Sequence, residues 1–184
     1  MKVKVGIMSF AHLHADSYAH CLKTNPRAEF VGIADHDRQR AQAKAEQYGV
    51  ALFDSYEALL ASEVQAEIIC SENAKHAQLA QMAAAAGKHI LCEKPLMTRL
   101  EDGKAMLAAA QGAGVHLFTA FPCRFSPAFQ KMKQLIDSGA IGELLALRGT
   151  NRGSNPGGWF NDLELAGGGA MIDHTVHVAD LIRL

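Results

Sequence analysis

His89-Ile90-Leu91-Cys92-Glu93-Lys94-Pro95 decides how the rest of this chain is read. A short apolar run makes a strand, and the strand runs directly into a lysine followed by proline. Proline has no N–H and holds its predecessor in extended backbone, so regular structure ends at Lys94. In a parallel sheet that end is the carboxyl edge, where open α/β sheets place their ligands. A lysine there can donate to a substrate oxygen, or carry a proton when its neighbours tune it. Lysine after a strand is also an ordinary surface feature, so the flanking segments must decide between the two.

Outward from this stretch, apolar runs predict strands at 3–8, 30–34, 50–53, 66–70, 89–92 and 115–120. Between them, polar and alanine-spaced segments predict helices at 12–23, 37–48, 75–86 and 100–111, with a shorter one after Asp54-Ser55. Gly49 and Gly87 suit helix ends, Asp54 or Ser55 suits a cap, and Glu57 suits a first turn. Strands alternating with helices over short connections require a parallel sheet covered on both faces. Residues 1–121 are therefore expected to form an α/β, Rossmann-type doubly wound domain.

The pattern changes after Phe121. A helix is expected at 126–138, ended by Gly139, and a strand at 144–150. Glycine-rich loops follow at 151–158 and 167–169, and then an amphipathic helix runs to Leu184. One strand and two helices do not make an independent sheet domain. Residues 122–184 are read as the incomplete beginning of a second α/β domain, whose remainder is expected beyond Leu184.

The 184 residues are 49% hydrophobic and 20% charged, with a net charge of -1. That balance points away from a nucleic-acid or anionic-membrane partner. Residues 105–123 carry no charge, but Gly112, Gly114, His116 and Pro122 interrupt them in a helix–turn–strand pattern rather than a membrane span. The amino terminus reads as a strand, not a signal peptide. Cys21, Cys70, Cys92 and Cys123 form no CxxC pair, which predicts reduced thiols and a cytoplasmic setting.

The first strand leads at once into a helix, as in dinucleotide folds, where G-x-G-x-x-G is expected. Here the turn is Ser9-Phe10-Ala11-His12-Leu13-His14. Ser9 and Ala11 are small enough for a tight turn, whereas His14 fills the glycine position that lets helix and strand pack closely. Asp35 ends the second strand, where an acid can hold a ribose 2′-hydroxyl; this leans toward NAD, against which His36 and Arg38 stand. It also reads as a strand-ending turn residue.

A second chemical stretch is Gly167-Gly168-Gly169-Ala170-Met171-Ile172-Asp173-His174-Thr175-Val176-His177. On a helix, Asp173 and His177 share a face, so the carboxylate is expected to orient the imidazole and raise its pKa. The glycines allow a ligand or backbone to approach the helix start.

Glu93-Lys94-Pro95 and the Gly167–Gly169, Asp173, His177 series together resemble the Gfo/Idh/MocA (glucose–fructose oxidoreductase and inositol dehydrogenase) family, over essentially the whole chain. Asn73-Ala74-Lys75-His76, Arg124-Phe125-Ser126-Pro127, Gly139-Ala140-Ile141-Gly142 and Trp159-Phe160 add to the likeness. The resemblance implies an amino-terminal domain binding NAD or NADP, and a carboxyl-terminal α/β domain for substrate and subunit contacts. It implies hydride transfer between nicotinamide and a hydroxyl or ketone of a sugar, cyclitol or related polyol, in a homo-oligomer. By position, Lys94, His177 and Asp173 would be catalytic and contact the substrate. Apart from the resemblance, Arg124, Arg152, Asn155 and Trp159 could contact a polyol, although each reads more readily as an ordinary loop residue. Ser9, Phe10, Ala11, His12, Leu13, Asp35, Ser71, Asn73, His76, Glu93, Lys94 and Pro95 would line the cofactor.

Two other readings stand beside this one. A catalytically degenerate relative would act as a ligand sensor or binding partner, and the altered glycine turn is its support. A metal enzyme would use His12 and His14, or Asp173, His174 and His177, although histidines two apart chelate together only from a loop. No resident metal is assigned.

Overall fold

The computed structural model describes residues 1–184. Six strands, β1 (Val3–Met8), β2 (Ala28–Ala34), β3 (Ala51–Leu52), β4 (Ala66–Ile69), β5 (His89–Glu93) and β6 (Leu117–Ala120), form one sheet. All pairings are parallel, in the order β3-β2-β1-β4-β5-β6. The intervening helices are α1 (Ala15–Thr24), α2 (Arg38–Tyr48), α3 (Tyr56–Leu60), α4 (His76–Ala85) and α5 (Leu100–Ala113). Because the strand order reverses between β1 and β4, their carboxyl ends open a crevice.

Successive strand residues face opposite sides of the sheet, which divides the core in two. Val5, Ile7, Ile33 and Ile68 pack with Ala19, Ala41 and Ala45 on one face. Met8, Ala34, Ile69 and Ile90 pack with Leu59, Ala80, Ala83 and Met106 on the other. Small alanines on α2 and α4 let these helices lie close to the strands. The helix ends follow local chemistry: Asp37 and Ser55 accept from the amides of Arg40 and Ala58, and Gly49 and Gly114 close α2 and α5 in left-handed conformation.

One charged side chain sits inside this core. Glu67 on β4 is fully buried and neither carboxylate oxygen has a hydrogen-bond partner. Gly6 on the neighbouring strand makes the room, since a Cβ there would lie 2.5 Å from Glu67 Oε2. Burial, opposed only by Lys88, pushes the Glu67 carboxyl up to about 8.

Beyond β6 come α6 (Pro127–Asp137), α7 (Leu163–Ala166), a π-helical turn (Met171–Thr175) and α8 (Val176–Ile182). The strand expected at 144–150 is absent. A strand needs a neighbour for its N–H and C=O groups, and no strand in the chain lies beside this segment. Leu144, Leu145 and Leu147 are consequently exposed. The segment after it folds back over the sheet edge and is tied there. Asn73 Nδ2 donates to Ala166 O at 2.9 Å, Trp159 Nε1 to Ala11 O at 2.9 Å, and Lys94 pairs with Asp173. Gly167 is required at one crossing: its φ is 73°, and a Cβ would lie 2.2 Å from the Thr98 methyl. No helix is long and apolar enough to cross a membrane.

Candidate active site at the carboxyl edge of the sheet

The β1–α1 turn holds its shape without glycine by spending its amides internally. Ser9 adopts φ 72°, a conformation that normally selects glycine. Its Oγ accepts from Ala11 N at 3.1 Å. The His12 amide donates to Cys70 O and the His14 amide to His12 Nδ1, both before the helix begins. That is why α1 starts at Ala15 and not at residue 12. Phe10 turns its ring into the core, while the Leu13 side chain is exposed.

Asp35 anchors the same turn. Its Oδ2 accepts from Phe10 N and Arg40 Nε, each at 2.7 Å. Its Oδ1 accepts from Arg40 Nη2 at 2.6 Å and Asp37 N at 3.0 Å. Burial alone would raise its pKa, but the Arg40 guanidinium and the two amides outweigh it and hold the carboxylate below its usual range. With four donors on two oxygens and no side-chain exposure, no lone pair is left for a ribose hydroxyl. The sequence ground for favouring NAD over NADP therefore does not carry over to this geometry.

At the end of β5, Glu93 is fully buried and takes Tyr18 OH at 2.5 Å, His14 Nδ1 at 3.0 Å and Lys94 N at 2.9 Å. Burial pushes it up, yet these donors win and hold it at about 2, so it is an anion. Lys94 is 4% exposed and its ammonium pairs with Asp173. His76 donates to Pro95 O at 2.8 Å, and burial keeps its imidazole neutral, so it braces the loop from beneath. Ser71 and Asn73 are buried beside it, and Asn73 Oδ1 has no partner.

His177 and Asp173 do not form the expected pair. Asp173 lies in the π-helical turn, where the repeat is wider than 3.6 residues, so a four-residue spacing no longer aligns side chains. Its carboxylate goes to Lys94 and lies 3.7 Å from His174 Nε2. His177 Nδ1 instead faces Cys123 Sγ at 3.8 Å. Burial and then the Lys94 charge lower the His177 pKa, the reverse of the expected shift.

His12, His14 and Glu93 place potential ligand atoms within 4.8 Å of one another, so the turn does bring the two histidines together. Hydrogen bonding argues against a metal there. His12 Nδ1 accepts the His14 amide at 3.1 Å, which puts the proton of the neutral ring on Nε2, the atom that would have to ligate. Burial lowers His12 to about 4, so it stays neutral with Nε2–H buried and unpartnered.

A 420 Å³ cavity gathers His12, His14, Lys94, Cys123, Asp173 and His177. A second, of 280 Å³, adjoins it past Asn73, Phe160 and Asp173. A third, of 230 Å³, lies at the ends of β2 and β3 beside Asp35, His36 and Tyr56. The profile described as oxidoreductase family, NAD-binding Rossmann fold, matches residues 3–121, and the GFO/IDH/MocA C-terminal domain profile matches 129–184. The chain belongs to the Gfo/Idh/MocA oxidoreductase family.

Within that family the chain is 33% identical to myo-inositol 2-dehydrogenase of Thermotoga maritima over 181 residues, 97% of this chain and 52% of the relative. A solved NAD-binding protein from Listeria innocua superposes with TM-score 0.89 at 30% identity, covering 99% of this chain and 54% of that one. GenD2 of gentamicin A biosynthesis, solved in complex with NAD, gives TM-score 0.85 at 26% identity, over 99% of this chain and 53% of that one. The chain spans about half the length of the curated relatives it matches.

Arg124 and Trp159, candidate substrate contacts from the sequence, have their polar groups engaged within the chain. The Arg124 guanidinium is bound by the Asp180 carboxylate, and the Trp159 indole N–H is spent on Ala11 O. Phe160, stacked on Trp159 at 3.8 Å, reaches the cavity instead. Sequence reading gave Tyr18 and Cys123 no part in the site, and placed His14 there only as an altered glycine position and a candidate metal ligand beside His12.

Proposed function

We propose that this chain binds NAD or NADP and transfers hydride between it and a hydroxyl or ketone of a sugar, cyclitol or related polyol. The observation that carries the reading is Lys94: a buried ammonium at the carboxyl end of β5, held by Asp173 and opening onto the cavity that His177 also lines. The recesses along the sheet edge suit a dinucleotide. Adenosine would take the β2–β3 side and nicotinamide the β4–β5 side, with the β1–α1 turn between them. The unpartnered His12 Nε2–H and Asn73 Oδ1 offer it a donor and an acceptor.

Bound nicotinamide would supply the hydride acceptor or donor. The chain's own residues do the rest. Lys94 donates to the reacting oxygen and stabilises the charge that grows on it as the hydroxyl proton leaves, while Asp173 fixes where the ammonium sits. His177 borders the same cavity and can exchange a proton there. The inositol dehydrogenase and the NAD complex among its relatives support the polyol and nicotinamide parts of this reading. The expected homo-oligomer and cytoplasmic setting belong to the same proposal.

Titration of the purified protein with NADH and NADPH, followed by energy transfer from Trp159, tests it. Saturable binding at micromolar levels is expected, with Lys94→Ala retaining binding but losing turnover of polyols. A folded protein that binds neither nucleotide would refute the proposal.

A further inference from the structure

The π-helical turn that carries Asp173 also carries His174, an imidazole with no part in the hydride transfer itself. Successive residues of an α-helix diverge by about 100°, and those of a π-helical turn by less. Asp173 and His174 accordingly line the same two cavities, of 280 and 420 Å³. Gly153, Pro156 and Phe160 complete the wall common to both, so Asp173 and His174 are its polar side chains.

The His174 ring is wedged between the glycine-rich loop and the Asp173 carboxylate. A Cβ on Gly153 would lie 2.1 Å from His174 Cε1 and 2.8 Å from its Nδ1, so glycine stands there to make room for the ring. On the other side, His174 Nε2 is 3.7 Å from Asp173 Oδ2, too far for a hydrogen bond. The His174 carbonyl accepts from Asn151 Nδ2 at 3.0 Å, which ties the loop to the turn, while the ring nitrogens bond nothing in the chain. The side chain is 26% exposed. A polar ring fixed by its neighbours, without an internal partner and bordering a cavity, is suited to orienting a ligand.

We propose that His174 is a substrate-recognition residue whose imidazole bonds a hydroxyl vicinal to the reacting one. The inference rests on the hydride-transfer reading. Asp173 Oδ1 holds the Lys94 ammonium and Oδ2 lies beside His174, so the two groups flank one carboxylate. With Lys94 on the reacting oxygen, His174 meets the oxygen of an adjacent carbon. The ligand class is therefore a vicinal diol of a cyclitol or pyranose. No bond is made or broken at His174, and its contact is alike in ground and transition states, so it acts on KM and substrate choice more than on kcat.

Monodeoxy analogues test the contact. Turnover of myo-inositol, D-glucose and the monodeoxy derivatives of each is measured with NAD and NADP in excess, and NADH binding is followed separately by energy transfer from Trp159. In the unmodified protein, the derivative lacking the hydroxyl beside the reacting carbon should have its KM raised at least about tenfold. His174→Leu should raise KM for the parent polyol by a similar factor and erase its advantage over that derivative. His174→Gln, which keeps a donor and an acceptor, should recover most of the loss, and NADH affinity should be unchanged throughout. Should His174→Leu not fold, Gly153→Ala serves: its Cβ displaces the ring without removing it and should raise KM alike, and an unchanged KM counts against the contact. Deoxy penalties that are equal in unmodified protein and His174→Leu would overturn the proposal. So would a loss of NADH affinity matching the loss of polyol, because the ring would then be bracing the loop. Absence of turnover by unmodified protein with either cofactor would sink the hydride-transfer reading and the role of His174 together, whereas turnover with penalties untouched by His174→Leu sinks only the second.

Discussion

Ser9 and Glu67 each break a local rule, in opposite ways. Ser9 holds a left-handed φ with a side chain that disfavours it, partly offset by the bond from Ala11 N to its Oγ. Ser9→Gly is therefore expected within about 1 kcal/mol of the parent, whereas β-branched Ser9→Val should cost more than about 1 kcal/mol, measured by urea unfolding. Glu67 is a carboxyl buried without a partner. It ionises near 4.5 in the unfolded chain but near 8 in the folded one. Well below pH 4.5 it is protonated in both states and adds no pH dependence, only the fixed cost of an unpartnered buried carboxyl. From there to pH 8 the unfolded state ionises while the folded state cannot, so stability falls as pH rises, by on the order of 4 kcal/mol in all. Glu67→Gln should flatten that decline in Tm between pH 5 and 8; an unchanged slope would show that Glu67 has found a counter-charge.

At the scale of elements, short polar links set where each segment ends up. Asp35 ties β2 to the β1–α1 turn through Phe10 N, and Glu93 ties β5 to α1 through His14 and Tyr18. Arg124, just after β6, clamps α8 through Asp180, which is 4% exposed. Removing the guanidinium leaves that carboxylate buried and unpaired, a situation costing about 3 kcal/mol. Arg124→Ala should accelerate amide exchange in α8 while β1, β4 and β5 keep their protection. Adding Asp180→Asn should restore part of the loss, and equal exchange in all three proteins would show that the pair contributes nothing. Against this, α6 and the 144–150 segment have exposed apolar side chains, among them Met132, Leu135 and Leu145. The strand expected there fails for the same reason: its pattern is present but its partner is not.

For the molecule as a whole, a parallel sheet was legible because alternating apolar runs and helix-spaced alanines leave few ways to connect parallel neighbours. Glu93-Lys94-Pro95 announced the carboxyl edge because proline ends a strand by covalent geometry, wherever the strand lies. Asp54-Ser55 and Gly49 marked helix ends for equally local reasons. Pairings between distant residues were not legible. The four-residue spacing of Asp173 and His177 assumed an α-helical repeat, but a π-helical turn and the buried Lys94 ammonium drew Asp173 away. Asp35 looked like a free acid until Arg40, five residues on, was seen to curl back over it. His14 looked like an obstacle to a glycine turn, and only the juxtaposition of α1 with β5 gives it a carboxylate. Backbone preference and apolar spacing act over a few residues, so the chain alone determined the strands, the helices and the edge where the chemistry gathers. Which charged groups meet depends on desolvation and on distances of a few ångströms across the fold, and the tertiary structure alone decided that.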